Sequence, residues 1–458
     1  MRFLIRAFFV LLLLALLGAG GAYLVAGRMA GPTIEIAKPD KYVGTSTPLE
    51  VSVTAPGGTV SALQIALEQN GKQTPLYTQG DTGGAAPQVN GDRITVTRVV
   101  GKETVPDLKT GAARIVVTTA RPVMRGIRTV SSTAARDVQV RLERPRVSVV
   151  STHHYVNQGG TEMVLYRVSP EDVQSGVIVG DVEYPGYPAT GAVADGIKIT
   201  DPSLRIAFYA LLYDQNVNTP MRVFARDEAG NTARADFDFR TFPKAFKHSR
   251  IPLDDKFLDR VVPAILEGTT EIKPEGDNLA KFLVINGDLR KKNAAKIAGF
   301  AKQTAPEMLW GGVVFHPFTN SAVESAFADQ RTYTYQGKDV DQQTHLGFDL
   351  ASIAGNPVVA ANRGKVLYAD ELGIYGNCVI IDHGMGVQSL YAHLSSIGVK
   401  AGDMVDKEQT LGRSGMTGLA GGDHLHFTML VNGHMVNPVE WWDPHWIQDR
   451  ILRKLKVS

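Results

Sequence analysis

Three short histidine-bearing segments follow one another between His345 and Phe427, at residues 344–349, 391–394 and 423–427. They read THLGFD, YAHL and DHLHF. Imidazole nitrogens together with a carboxylate oxygen suit a catalytic zinc ion, which takes three protein ligands and leaves a fourth position open. The sequence therefore predicts a metal centre in the C-terminal part of the chain, and the remaining elements are expected to position it.

The spacing of the five candidate residues suggests different roles for them at a metal centre. His424 and His426 are two residues apart on a predicted strand, so both imidazoles point to the same face. One of them can bind the metal while the other meets the bound water, and His345 and Asp349 supply two further ligands from a separate segment. His393 is then expected to stabilise a developing oxyanion or to relay a proton.

Strand-like stretches and glycine-rich loops surround these segments. Residues 357–361, 364–368, 379–383 and 426–430 are rich in apolar and β-branched residues and predict the strands of a compact sheet. The loops at 373–377 and 415–422 are expected to form the walls of a groove.

Taken in this order, the segments resemble the LytM-like, lysostaphin-type zinc endopeptidases of peptidase family M23. The hallmarks of that family are a His-x-x-x-Asp segment, a later single histidine and a closing His-x-His, and the resemblance covers about residues 325–441. Flanking residues that also fit are Gly347, Asp349-Leu350-Ala351, Tyr391-Ala392-His393-Leu394-Ser395, Gly402, Val405, Leu411-Gly412-Arg413-Ser414-Gly415 and Asn437-Pro438.

The resemblance implies a C-terminal antiparallel β-sheet peptidase domain and a role for each candidate. It implies that His345, Asp349 and His426 ligate Zn2+, while His393 and His424 contact the bound water and stabilise the tetrahedral intermediate. The implied substrate is the peptide part of peptidoglycan. An alternative of a different class is a non-catalytic LytM-like module that binds and activates a separate cell-wall amidase, although such relatives typically lose metal ligands and this chain keeps them.

The chain departs from the family pattern in two places. Where the family often begins Ser-x-Phe-Gly-x-Arg, residues 325–331 read SAFADQR, so the glycine is replaced by Ala328 and the arginine is shifted to Arg331. The resemblance therefore assigns Arg331 no substrate contact. Asp423 precedes the closing pair where proline is common, and either supports the metal site from outside its ligands or is exposed.

Other residues that invite a chemical role are interpreted as structural. His383 is expected at a strand end, Cys378 in a buried strand, and Trp441 with Trp442 in a closing core patch. The pair at 153–154 is interpreted as an exposed turn. The remaining histidines at 316, 434 and 445 have no motif support.

The N-terminus carries a 20-residue stretch without charge, residues 7–26, between Arg6 and Arg28. This length suffices to cross a bilayer as a helix. A retained anchor is favoured over a cleaved signal peptide, because no clean small-x-small site precedes Arg28. We expect a single-pass protein of the cell membrane with its catalytic domain outside the cytoplasm, on the periplasmic side.

Between the anchor and the metal centre the pattern changes twice. Residues 32–145 and 146–242 alternate with period two between turn residues, which predicts two immunoglobulin-like β-sandwiches as possible sites for cell-wall protein partners. Within residues 243–322, the stretches 254–267 and 278–301 show helical spacing, and the segment from about 254 to 303 is expected to pack beside the peptidase and restrict its groove. Their basic residues Arg290, Lys291, Lys292 and Lys296 are interpreted as a solvated helix face, with contact to an acidic polymer as the alternative.

The predicted architecture is therefore multidomain and mainly β. The predicted boundaries are 1–31 for the anchor, 32–145 and 146–242 for the sandwiches, 243–322 for the helical linker, 323–445 for the peptidase and 446–458 for a C-terminal tail. A net charge of +2 argues against the concentrated basic surface that nucleic acids require. The predicted function is a membrane-anchored zinc metalloendopeptidase that hydrolyses peptide cross-links of peptidoglycan.

Overall fold

The computed structural model describes residues 2–194 and 196–456. These divide into two compact units. One contains the residues up to Pro145 together with Arg226–Thr232, and the other contains Arg146–Ala225 and the residues from Ala233 onward. The chain is mainly β, as the sequence predicts.

The chain begins with a long apolar helix, α1 (Arg2–Ala26). Within it, Phe3–Ala26 has a mean hydropathy of 2.4, and its most apolar window is not buried against the rest of the chain. By length and composition this helix can cross a membrane, and a signal sequence would have the same properties.

Nine strands form two sheets in the unit that α1 opens. They are β1 (Thr33–Lys38), β2 (Tyr42–Val43), β3 (Thr47–Thr54), β4 (Ala62–Gln69), β5 (Lys72–Thr78), β6 (Gln88–Asn90), β7 (Arg93–Val100), β8 (Gly111–Val123) and β9 (Arg128–Val140). The strand orders are β1-β3-β7-β6 and β2-β9-β8-β4-β5. Leu49, Val51 and Val53 alternate toward a core that Ile65 and Val117 also enter, which is the period-two burial that a half-buried strand requires.

Twelve further strands lie among the described residues of the next region of the chain. They are β10 (Arg146–Val149), β11 (His154–Asn157), β12 (Thr161–Ser169), β13 (Gln174–Val179), β14 (Val182–Pro185), β15 (Tyr187–Pro188), β16 (Val193–Ala194), β17 (Ile197–Lys198), β18 (Leu204–Ala210), β19 (Met221–Arg226), β20 (Thr232–Asp236) and β21 (Phe239–Phe242). Their larger sheets have the orders β10-β12-β18-β15 and β14-β13-β19-β20. The immunoglobulin-like assignment of both β regions stays a prediction.

The segment predicted as helical contains three helices, but it begins with a strand. The elements are β22 (His248–Leu253), α2 (Asp255–Gly268), α3 (Asn278–Val284), a π-helical turn (Ile285–Leu289) and α4 (Arg290–Gly299). The carboxylates of Asp254 and Asp277 cap α2 and α3 by accepting from backbone N–H groups. Both helices turn buried apolar side chains, such as Leu258 and Phe282, toward the sheet that follows.

Thirteen strands build the C-terminal region. They are β23 (Ala322–Ser325), β24 (Asp329–Tyr335), β25 (Lys338–His345), β26 (Phe348–Ala351), β27 (Pro357–Val359), β28 (Gly364–Glu371), β29 (Asn377–Gly384), β30 (Val387–Leu394), β31 (Ser396–Ile397), β32 (Met404–Val405), β33 (Thr410–Arg413), β34 (Leu425–Val431) and β35 (His434–Val436). The main sheet has the order β23-β26-β34-β30-β29-β28-β32. Strand β22 pairs in parallel with β24, which ties the helical segment to this region.

The chain closes with short helical turns rather than an extended tail. These are a 3-10 helix (Pro438–Trp442), α5 (Pro444–Trp446), a π-helical turn (Ile447–Leu452) and α6 (Arg453–Leu455). Trp441 is fully buried against Phe208 of β18 and Phe315, with ring centroids 5.9 and 5.3 Å away, as expected for a core patch. The second β region and the C-terminal sheet therefore share one continuous core.

Candidate metal centre and active site

Three side chains bring their ligand atoms to one point at the edge of the C-terminal sheet. His345 Nε2 lies 2.9 Å from Asp349 Oδ1 and 3.0 Å from His426 Nδ1. The remaining side of this triangle, between His426 Nδ1 and Asp349 Oδ1, measures 3.0 Å. Among the described residues, this is the one group of three or more His, Cys, Asp or Glu side chains close enough to share a metal ion.

Strand pairing sets two corners of this triangle. Asp349 on β26 and His426 on β34 are direct partners in the antiparallel register, so their side chains leave the same face side by side. Gly347 allows the close approach, because a Cβ at that position would lie 2.5 Å from His426 Cε1 and Nε2. Any other residue at position 347 would displace the His426 ring.

His345, the last residue of β25, is oriented by a second hydrogen bond. Its Nδ1–H donates to the carbonyl oxygen of Ala326 at 3.2 Å, and Ser325 Oγ lies 3.3 Å away. With the proton assigned to Nδ1, the Nε2 atom carries a lone pair that faces the carboxylate oxygen Asp349 Oδ1. Two acceptors at hydrogen-bond distance repel each other unless a cation or a proton lies between them. The donor set and its geometry therefore fit a metal ion with two nitrogen ligands and one oxygen ligand.

Arg331 holds the other oxygen of the same carboxylate. Its Nη2 donates to Asp349 Oδ2 at 2.8 Å, and its Nε lies 3.7 Å from Asp329 Oδ2. The guanidinium thereby fixes the carboxylate so that Oδ1 faces the two histidines. The sequence does not predict this contact of Arg331, because the one-residue shift separates it from the family pattern and the contact forms across two strands.

Ala328 takes the backbone conformation that a glycine usually supplies. Its φ is +61°, in the left-handed region, and its N–H donates to the carbonyl oxygen of His345 at 2.7 Å. Ala328, which stands where the family motif often has glycine, therefore adopts a backbone conformation that glycine takes more readily.

The two remaining predicted residues lie beside the triangle. The rings of His393 and His424 are in contact, with centroids 4.8 Å apart and planes tilted by 52°, and His424 Nε2 lies 3.4 Å from Asp349 Oδ1. Their Nδ1–H groups donate to the carbonyl oxygens of Thr417 and Gly422 at 2.8 and 2.9 Å. In both residues the Nε2 atom is therefore the one available to a reacting group.

His393 occupies a strained backbone position at the end of β30. Its φ is +63°, which costs a non-glycine residue roughly 1 kcal/mol or more. This conformation turns the imidazole toward His424 rather than along the sheet. Strain of this kind persists where the surrounding structure requires it, and such positions cluster at functional sites.

Burial and mutual contact shift the pKa values of these groups. Burial lowers the pKa of His426 to about 4. For His393, burial and the neighbouring charges of His424 and His426 hold the pKa well below its usual range. Burial alone would raise the pKa of Asp349, but a proton shared with His345, with its positive charge, and hydrogen bonding with His424 and His426 hold it well below its usual range. His393 is thus neutral and Asp349 ionised at neutral pH.

The five residues line one cavity of about 150 Å³. Tyr375 covers it from the loop after β28, with its ring centroid 5.6 Å from that of His426. Arg290 and Ala294 of α4 form a further part of the wall. The helical segment and the loop at 373–377 thus both border the site, as the sequence predicts for the loop, although neither pattern singles out Arg290 or Tyr375.

His383 and Cys378 are buried structural residues, as the sequence predicts, and Asp423 lies outside the metal ligands. His383 is fully buried, with Nδ1–H donating to the carbonyl oxygen of Arg363 at 2.8 Å and Nε2 lying 2.8 Å from Ser389 Oγ. Cys378 is fully buried, and burial raises the pKa of its thiol. Asp423 accepts from Ser414 Oγ at 2.6 Å and from Gly355 N–H at 3.1 Å, so it fastens neighbouring loops instead of touching the metal ligands.

The interpretation of residues 153–154 as an exposed turn is correct for His153 and wrong for His154. His154 is 2% exposed and lies 2.9 Å from Ser151 Oγ. It borders a groove of about 650 Å³ between β10 and β20, larger than the cavity at the triangle. That groove holds no cluster of potential metal ligands among the described residues, so the smaller cavity is the candidate site.

Similarity to known proteins concentrates on this part of the chain. The profile described as Peptidase family M23 matches residues 343–438, a stretch that contains all five predicted site residues. The chain is 42% identical over 95 residues to the DD-carboxypeptidase/endopeptidase Mpg of Neisseria meningitidis serogroup B, covering 21% of this chain and 22% of that protein. It is 40% identical over 96 residues to the peptidoglycan DD-endopeptidase ShyA of Vibrio cholerae, again covering 21% and 22%.

Among solved structures, the chain is similar to the catalytic domain of the antimicrobial peptidase lysostaphin from Staphylococcus simulans. The identity is 28%, the match covers 27% of this chain and 92% of that chain, and the TM-score is 0.24. The matched stretch is less than a quarter of the length of the Neisseria and Vibrio relatives.

Proposed function

Because residues 343–438 are a peptidase M23 domain, we propose that this protein is a zinc metalloendopeptidase that hydrolyses peptide cross-links of peptidoglycan. The observation that carries the proposal is the triangle of His345 Nε2, Asp349 Oδ1 and His426 Nδ1, with sides of 2.9 to 3.0 Å. Two further imidazoles lie beside it in the same cavity. Three ligands with an open fourth position are the arrangement of catalytic rather than structural zinc.

The chemistry divides between the ion and the side chains. Zinc bound by the triangle supplies a Lewis acid that activates water at neutral pH and polarises the scissile carbonyl. His393 is neutral and presents a free Nε2, so it is placed to accept a proton. Burial lowers the pKa of His424, but its hydrogen bond to Asp349 raises it above the usual value, so a protonated His424 is placed to donate its Nε2–H to the developing oxyanion. Arg331 keeps Asp349 in its orientation throughout.

The same proposal places the catalytic region outside the cytoplasm and holds the protein at the membrane through α1. Its support is the apolar helix Phe3–Ala26 together with the cell-wall substrate named for the relatives. An insoluble polymer next to the membrane is a substrate that a tethered enzyme can reach without diffusing to it.

Digestion of purified sacculi tests this function. The full chain, purified in detergent and loaded with zinc, is incubated with sacculi, and the released fragments are analysed by mass spectrometry. We expect new amino and carboxyl termini at peptide cross-links, and we expect none after treatment with a zinc chelator.

Two variants make the test specific. His345→Ala removes a corner of the triangle and is expected to abolish both zinc binding and cleavage. His316→Ala, outside the cavity and half-buried beside Glu408, is expected to behave as the wild type. A wild-type protein that binds an amidase but holds no zinc and cuts no peptide would instead support the alternative, a non-catalytic amidase activator.

A further inference from the structure

Arg290 contributes a cationic side chain to the same cavity from outside the matched domain. It begins α4 in the helical segment, yet it lines the cavity together with His345, Asp349 and His426. Its charge also reaches Tyr375: burial raises the pKa of that phenol to about 12, and Arg290 acts in the opposite direction. The interpretation of Arg290 as part of a solvated helix face is therefore wrong, whereas its neighbour Lys291 is exposed.

The π-helical turn before α4 fixes the direction of this side chain. Asn286 in that turn is fully buried, and its backbone and side-chain oxygens accept from Arg290 Nε and Nη2. The amide nitrogen of Asn286 is in turn anchored, because it donates to Asp341 Oδ2 at 2.7 Å. π-helical turns are rare and occur frequently at functional sites. Here the turn clamps one side of the guanidinium and leaves Nη1 without a partner among the described residues.

The two arginines in the cavity differ in how their charges are balanced. Arg331 forms ion pairs with Asp349 and Asp329. Arg290 forms none within 4 Å among the residues that the structure describes, and both of its hydrogen-bond acceptors are neutral. A half-buried, preorganised guanidinium with an open edge is suited to a carboxylate or another planar anion.

The size of the cavity limits where that anion can be. At about 150 Å³ it is smaller than the roughly 300 to 1,000 Å³ of common ligand pockets, so only groups close to the reacting amide fit inside. We propose that Arg290 binds a free carboxylate of the substrate peptide beside the scissile amide and thereby selects cross-links whose flanking residue carries one. This inference rests on the proposed function and names the substrate class of the same site.

The test compares two cross-linked peptide dimers that differ only in this group. One carries the free carboxylate next to the scissile amide, and the other carries a carboxamide there. The full chain, loaded with zinc in detergent, is expected to cleave the carboxylate form with a kcat/KM about 10- to 100-fold higher. In Arg290→Gln this ratio is expected to fall below about 3-fold, because the carboxylate loses its charged partner. Arg290→Lys is expected to restore part of the preference, since it keeps a charge without the fork.

Lys291→Gln is the matched control, because it removes an equal charge from the exposed side of the same helix and is expected to keep the wild-type ratio. A wild-type ratio near one, or a ratio that survives in Arg290→Gln, would overturn the inference. If the wild type cuts neither dimer, the proposed function fails separately. Calorimetry then measures the binding of both dimers to the wild type and to Arg290→Gln. Equal affinities of the wild type for the two dimers would reject the inference.

Discussion

The metal ligands are oriented by residues that hydrogen-bond to their other polar atoms. Asp349 offers Oδ1 to the two histidines because Arg331 Nη2 holds Oδ2 at 2.8 Å. His345 offers Nε2 because its Nδ1–H is committed to the carbonyl oxygen of Ala326. Outer partners of this kind typically change metal affinity by one to two orders of magnitude when they are removed.

Arg331→Ala tests this dependence. Without the guanidinium the carboxylate is free to rotate, so we expect the zinc affinity to fall about 10- to 100-fold. The dissociation constant is measured by competition with a chromophoric chelator. Arg250→Ala is the control, because its ion pair with Asp339 is exposed and does not involve the metal ligands. Equal zinc affinity in Arg331→Ala and wild type would show that Asp349 needs no such support.

His393→Ala separates catalysis from metal binding. His393 lies outside the triangle, so the zinc content of the variant is expected to match the wild type by elemental analysis. Its kcat on peptidoglycan fragments is expected to fall about 100- to 10,000-fold, the usual contribution of a positioned acid or base. A variant that loses its zinc would instead place His393 among the ligands.

At the level of elements, the helical segment forms part of the active-site wall. Its apolar side packs on the loop at 373–375, whose Tyr375 covers His426. The link is a buried hydrogen bond, in which Ile374 N–H donates to Asn293 Oδ1 at 3.0 Å. That the segment restricts access to the groove stays a prediction, and its position at the wall supports it.

Asn293→Ala is expected to loosen this loop. The variant leaves a buried N–H without an acceptor, which costs about 1 to 3 kcal/mol of the free energy of unfolding. Urea denaturation measures the loss. Asn278→Ala removes an exposed hydrogen bond to Asp259 on the same segment, and it is expected to change the free energy of unfolding by less than about 0.5 kcal/mol. A stability loss of equal size in both variants would contradict the role of the buried bond.

At the level of the whole molecule, a buried ion pair fastens the C-terminal helical turns to the second β region. Lys454 Nζ donates to Glu162 Oε1 and to the carbonyl oxygen of Met163, both at 2.7 Å. Glu162 is fully buried and also accepts from the Tyr155 and Met163 N–H groups. The region predicted as a C-terminal tail is thus part of the core.

Lys454→Met is expected to destabilise the protein by about 3 to 5 kcal/mol, because it removes the closer cation from the buried Glu162 carboxylate and leaves only Arg450, whose Nε lies 4.0 Å away. Thermal or urea unfolding measures the change. The double variant Glu162→Gln with Lys454→Met removes both charges and is expected to recover part of the loss. Arg453→Met, which removes only the exposed pair with Asp449, is expected to have little effect. A double variant as unstable as Lys454→Met would show that the charge is not the cause.

The sequence by itself predicted five site residues, which the structure brings to one cavity, and the mainly β character of the chain. The period of two on β34 places His424 and His426 on one face, and Asp349 lies beside His345 because the chain bends at Gly347 between β25 and β26. The tertiary structure alone decided the places of Arg290, Arg331 and Lys454. Asn293 and Ile374 are 81 residues apart, and Lys454 and Glu162 are 292 apart. Such contacts form when separate elements pack, so neither the spacing nor the type of these residues in the chain could reveal their partners.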